Sequence, residues 1–208
     1  MYRRAVVLVA VIAAMLCPTV LVGDAARPVL QLALQRADMP TTTEKSTSAI
    51  PYPRVVDPSH LRPFGVRGLQ SAEYQYAWPT GGTITTPIGP IDKQWFIEGE
   101  VFRAPDEGGA KRFFALGVAA KTGAFSYDSF PGDKLKNLDL PTYGDEQFAR
   151  VGTHPATGLG VMVFVRKGAV VWQLRVAVIP LQFQATEAQM VEVLKTYAVK
   201  QKSRVGSG

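Results

Sequence analysis

A chain of 208 residues with 47% hydrophobic side chains, three Trp, ten Phe and seven Tyr has the material for a packed core, which excludes a disordered stalk. Its net charge of +6 comes from scattered basic residues, which excludes a basic nucleic-acid-binding block and leaves at most weak attraction to an anionic membrane or cell-wall surface. The single cysteine, Cys17, excludes a disulfide framework and a thiolate metal cluster.

Taken in chain order, Arg3 and Arg4 precede an apolar run from Ala5 to Val22 and the small residues Gly23 and Ala25. This is the layout of a secretory signal peptide over residues 1–25, with Ala26 as the new N-terminus. Cleavage there removes Cys17, Arg3, Arg4 and Asp24, leaving 21 basic against 16 acidic side chains. The expected location is therefore outside the cytoplasm: secreted, periplasmic or at the cell surface. Two alternatives stay open. An uncleaved anchor needs about 18 apolar residues, and Pro18 and Thr19 interrupt the run. Lipidation at Cys17 wants a small residue where Met15-Leu16 places a bulky one. N-terminal sequencing of secreted material is expected to begin within a few residues of Ala26, and a membrane-bound product retaining Met1 is the contrary result.

Residues 26–39 read as a short helix, with Pro28 in its first turn and Val29, Leu30, Leu32, Ala33 and Leu34 as apolar positions, ending at Asp38-Met39-Pro40. Residues 40–68 read as a connector, because 12 of the 24 residues from Pro40 to Pro63 are Pro, Ser or Thr. It is either a tether or a loop lying on the domain. The domain proper is expected over residues 69–208. Ala72 to Trp78 alternates as a strand, ended by Pro79-Thr80-Gly81-Gly82, and Lys93 to Arg103 alternates as a second. Pro105-Asp106-Glu107 announces a helix from Ala110 to Lys121, stopping at Gly123. Phe125 to Thr142 reads as a long excursion, and Gly144 to Val151 as a short strand. Gly160 to Ile179 holds two β-branched runs around Arg166-Lys167-Gly168-Ala169, a hairpin signal. Thr186 and Gln189 have capping-box spacing at the start of a helix to about Lys202, whose stripe is Met190, Val191, Leu194, Tyr197 and Ala198.

This order favours an α+β fold, an antiparallel β-sheet flanked by helices. The last helix needs an apolar cover, and the hairpin face carrying Val170, Trp172, Leu174 and Val176 is the expected one, so Leu194 and Trp172 should share a core. A ligand site is expected beside that core and off the connector.

Four stretches carry a family resemblance: Leu32 to Pro40 (LALQRADMP), the strand Trp95 to Arg103 running into Ala110-Lys111-Arg112-Phe113-Phe114, Tyr143-Gly144-Asp145-Glu146, and the hairpin Gly160 to Val176. Together they resemble small secreted bacterial proteins with PsbP-like α/β/α sandwich folds, among them the LpqN-type lipoproteins of actinobacteria. The resemblance implies that sandwich and a binding or accessory role outside the cytoplasm, with no shared catalytic residues.

Candidate chemistry is sparse. Asp57, Ser59 and His60 lie adjacent on an extended stretch and cannot converge as a triad must, and no Gly-x-Ser-x-Gly elbow is present. His154 has no second histidine nearby and no cysteine, so a His-rich zinc site cannot be assembled; one His with carboxylates stays open beside the reading of a solvated turn. Glu98 and Glu100 share a strand face about 7 Å apart, within the roughly 5–9.5 Å used by glycosidase carboxylates. The favoured reading is that they answer Arg103, Arg175 or another base across the strands. Tyr74, Tyr76 and Trp78 form a stripe that suits either stacking on a ligand or a core.

The expectation is a non-enzymatic extracytoplasmic binding or accessory domain without cofactor or metal, its ligand a small molecule, lipid or protein. Candidate ligand contacts are Tyr74, Tyr76, Trp78, Glu98 and Glu100. The rivals are a cell-wall-acting hydrolase using Glu98 and Glu100, and a purely structural partner domain. A pocket walled by aromatics between sheet and helix would favour binding; an open cleft holding both glutamates would favour the hydrolase.

Overall fold

A computed structural model describes residues 27–42, 52–57, 66–86, 89–122, 136–154, 158–179 and 185–206. These residues form a seven-stranded, wholly antiparallel sheet in the order β1-β2-β3-β7-β6-β5-β4. Its strands are β1 (Arg54–Val56), β2 (Gln70–Thr86), β3 (Gly89–Arg103), β4 (Lys136–Asn137), β5 (Glu146–His154), β6 (Gly158–Lys167) and β7 (Val170–Ile179). The helices are α1 (Val29–Leu32), α2 (Glu107–Thr122) and α3 (Glu187–Gly206). The fold is α+β, with helices against both faces of the sheet.

Alternation along the strands divides the sheet into two faces. One carries Tyr74, Tyr76 and Trp78 of β2, Ile97 and Val101 of β3, Val161, Val163 and Val165 of β6, and Trp172, Leu174 and Val176 of β7. It is covered by Met190, Leu194, Tyr197 and Ala198 of α3 and by the α1 segment, so Leu194 and Trp172 do share one core. On the opposite face, Phe102, Phe164 and Val171 lie under Ala110, Phe113 and Phe114 of α2. Gly117 lets α2 lie this close, because a Cβ there would stand 2.7 Å from the Phe164 ring.

Two of the helix starts follow the capping chemistry of the sequence. Gly109 N donates to Asp106 Oδ1 at 2.6 Å, which moves the start of α2 forward to Glu107. Thr186 N donates to Gln189 Oε1 at 2.9 Å and Gln189 N to Thr186 Oγ1 at 3.3 Å, the expected capping box, and α3 then runs past Lys202 to Gly206. The hairpin turn places Gly168 at φ +55, a left-handed conformation that suits glycine.

Three boundaries differ from the sequence reading. β2 does not end at Pro79-Thr80-Gly81-Gly82; its register with β3 shifts between Pro79 and Thr83, and pairing resumes to Thr86 and Gly89. A bulge absorbs the glycines, and Pro79 falls beyond the reach of β1, which pairs only with Ser71 to Glu73. Within the connector, Arg54–Val56 is itself the edge strand β1. Most consequentially, the reading starts the packed unit near Leu69, whereas Val29, Leu32, Ala33, Leu34 and Met39 belong to the main core.

That N-terminal segment is helical for only four residues, then extended at Ala33, then a 3-10 turn over Arg36–Asp38. The reason is steric: Leu32, Ala33 and Leu34 are all fully buried, and one continuous helix cannot turn three consecutive residues into a core. Polar groups then lock it down. Gln201 Nε2 donates to the Leu32 carbonyl at 2.6 Å, the Tyr76 hydroxyl to the Leu34 carbonyl at 3.0 Å, and Arg204 forks onto Asp38 at 2.5 and 2.9 Å.

The same packing sets an alkaline limit. Burial, with the Asp38 charge adding to it, pushes the phenols of Tyr76 and Tyr197 up to about 12 from an ordinary 10.0, and burial raises Tyr74 as well. The unfolded chain ionises its tyrosines first, so stability is complete below pH 10 and falls as pH climbs from about 10 to about 12. In a spectrophotometric titration these phenolates are expected to appear together with loss of the fold. Ordinary titration of every tyrosine in a still-folded chain is the contrary result.

Candidate functional site

On the face that α2 covers in part, the positions outside its cover are mostly polar around the middle of β2, β3 and β7. The register lines them up in two rows across neighbouring strands: Arg54, Glu73, Glu100 and Gln173, and beside it Gln75, Glu98, Arg175 and Met162. The rows enclose a groove of about 170 Å³ lined by Glu73, Gln75, Glu98, Glu100, Gln173 and Arg175. Tyr52 and Met162 close its ends. Backbone at Tyr74, Gly99 and Leu174 forms the floor.

Pairing inside the groove is dense. Glu98 and Arg175 stand directly opposite on β3 and β7, and Arg175 Nη1 donates to Glu98 Oε1 at 2.8 Å. Glu73 and Glu100 also stand directly opposite, a like-charge arrangement that costs stability by itself. Each is answered from β1 or β2: Arg54 makes an ion pair with Glu73, and the Ser71 hydroxyl donates to Glu100. The Arg54 guanidinium in turn lies over the Tyr52 ring, 5.4 Å from its centroid. The lining side chains are half-buried, so these pairs fix orientation more than they add stability.

The floor is rigid for a reason visible at Gly99. A Cβ there would fall 2.3 Å from both the Gln173 carbonyl oxygen and the Tyr74 hydroxyl. Only glycine lets the Tyr74 ring lie flat beneath β3, and so supports the groove from the opposite side.

Of the residues singled out in the sequence, Glu98 and Glu100 come together in the groove. Tyr74, Tyr76 and Trp78 do not join them. They are 1%, 6% and 7% exposed on the other face, and burial against α1 and α3 uses their ring surface in the core. Arg175 does answer Glu98, whereas Arg103 bonds the Arg27 carbonyl. The groove lies across the sheet from the Trp172–Leu194 core and has the connector residue Tyr52 at its end. His60 lies outside the described residues; His154 ends β5 opposite Gly158, with its side chain outside them too.

Glu73, Gln75 and Gln173 escape the sequence reading, although a signal exists. The alternation that makes Tyr74, Tyr76 and Trp78 a buried stripe makes Glu73 and Gln75 its polar counterpart, and the same holds for Gln173 and Arg175 against Trp172, Leu174 and Val176.

A second polar cluster is structural. The Arg166 side chain, 4% exposed, bonds Glu107 at 3.1 Å, Glu146 at 3.1 Å and Asp145 at 3.3 Å, tying α2 to β5 and β6. The Gly168 amide and Lys167 hold the Asp145 carboxyl below its ordinary range. Among the described residues, no group of three or more His, Cys, Asp and Glu is placed to hold a metal, and no helix is long and apolar enough to cross a membrane. The chain matches no family model, no curated protein and no solved structure.

Proposed function

We propose that the protein is a non-enzymatic binding or accessory domain working outside the cytoplasm, and that its ligand occupies the polar groove over β2, β3 and β7. The observation that carries this reading is the set of polar side chains on a floor of paired strands, with its three carboxylates each oriented by a cross-strand partner. The signal-peptide layout of residues 1–25 and the resemblance to PsbP-like secreted proteins support the location and the role. The hydrolase reading has one point in its favour, since the groove is open and holds both Glu98 and Glu100. Against it, Glu98 is committed to Arg175 and Glu100 to Ser71, so neither stands ready to exchange a proton with a substrate.

Native mass spectrometry of the purified chain beside Gln75→Ala/Arg175→Ala tests the proposal. A small molecule is expected to travel with the wild type and to be lost from the variant. A molecule held equally by both, or by neither, overturns it. A hydrolytic activity that falls about a hundredfold in Glu98→Gln or Glu100→Gln assigns the hydrolase instead.

A further inference from the structure

The groove's chemistry narrows what it holds, an inference that rests on reading it as the binding site. Its floor is the face of a sheet whose central strand there, β3, is already paired on both sides, to β2 and to β7. A peptide lying along β3 therefore finds no free main-chain groups on which to add as a strand, and recognition over that part of the floor falls to side chains. The lining is polar, with Met162 the sole aliphatic side chain to line it besides Leu174 beneath the floor, which does not suit an acyl chain.

Charge narrows it further. Glu73 and Glu98 each have an arginine in hydrogen-bond contact and Glu100 the Ser71 hydroxyl, so a cationic ligand competes at each carboxylate with a bond already made. An anionic ligand meets three carboxylates. A neutral hydroxyl group meets neither obstacle, because it donates and accepts at once. It can donate to carboxylate lone pairs that the existing bonds leave over, and accept from the Gln75 and Gln173 amides, which themselves offer both functions. Tyr52 at the end of the groove supplies ring surface for the C–H faces of such a ligand. The volume of about 170 Å³ lies below the roughly 300–1,000 Å³ of pockets for drug-sized molecules, so it seats a ring or two of a longer molecule.

We infer that the groove binds a neutral, hydroxyl-rich ligand, a saccharide unit, through Gln75, Glu98, Gln173 and Arg175, with Tyr52 as the stacking surface.

The test is an amide NMR titration of the full isotope-labelled chain with soluble cello-, malto- and chito-oligosaccharides, and with oligogalacturonate and spermine as charged contrasts. At least one neutral series is expected to shift the amides of Gln75, Glu98, Gln173 and Arg175 saturably. Gln75→Ala and Gln173→Ala are expected to weaken it about tenfold each, while Leu116→Ser on the exposed side of α2 leaves it unchanged. Shifts in the groove produced only by oligogalacturonate or spermine overturn the saccharide assignment and leave the groove as a binding site. No groove shift with any neutral series overturns the assignment as well. In that case the native mass measurement, which uses none of these probes, decides separately whether the groove binds anything.

Discussion

A chain that begins at Arg54 is expected not to fold. The missing segment contributes Val29, Leu32 and Leu34, at 5%, 1% and 0% exposure, to the core under α3. Burying three aliphatic side chains is worth roughly 5–9 kcal/mol, against a total stability of about 5–15 kcal/mol for a domain. The deletion also strips the partners from the buried Gln201 amide, the Tyr76 hydroxyl and Arg204, and each stranded buried polar group costs a further about 1–3 kcal/mol. Thermal melts followed by circular dichroism should show no cooperative transition in this variant. A cooperative melt within a few degrees of the parent would show the segment to be dispensable.

The second large effect is expected at Trp172. It is fully buried, lies between Val101 and Val165 in the register, and approaches Tyr143 with ring centroids 6.3 Å apart. Trp172→Ala should cost about 3–5 kcal/mol in urea denaturation. Its indole N–H has no acceptor among the described residues, so the side chain acts by volume alone. Trp172→Phe therefore loses no hydrogen bond, removes a stranded donor, and should cost less than half as much. Leu194→Ala, in the same core from α3, should cost about 2–5 kcal/mol. Equal losses for the Phe and Ala variants of Trp172 would mean that the indole nitrogen has a partner after all.

Much of this architecture is written in short-range patterns. Period-two alternation marks β2, β3, β6 and β7, the Lys-Gly turn marks the hairpin, and Thr186 with Gln189 marks the start of α3. Other features are decided by distant partners. The run Leu32-Ala33-Leu34 has no pattern of its own that announces complete burial, since its cover is α3 at the far end of the chain. Gly81-Gly82 reads as a stop because glycine serves turns and bulges alike, and only the pairing with β3 shows which. The groove is least legible of all. Glu98 and Glu100 share one strand, but Arg175 and Gln173 join them only because β7, and not β4, lies beside β3.

The placement of the first described segment against the last helix also fixes when the protein can finish folding. Gln201 reaches back 169 positions to the Leu32 carbonyl, Arg204 reaches 166 to Asp38, and Arg175 reaches 77 to Glu98. Contacts so distant in sequence demand large loop closures before they give anything back, which puts the chain among the slow folders of its size. During synthesis, Leu32, Ala33 and Leu34 emerge early and wait, uncovered, until α3 has been made through Val205. Until then these residues remain open to chaperones, proteases and self-association, and closure of the core waits on the last turn of α3.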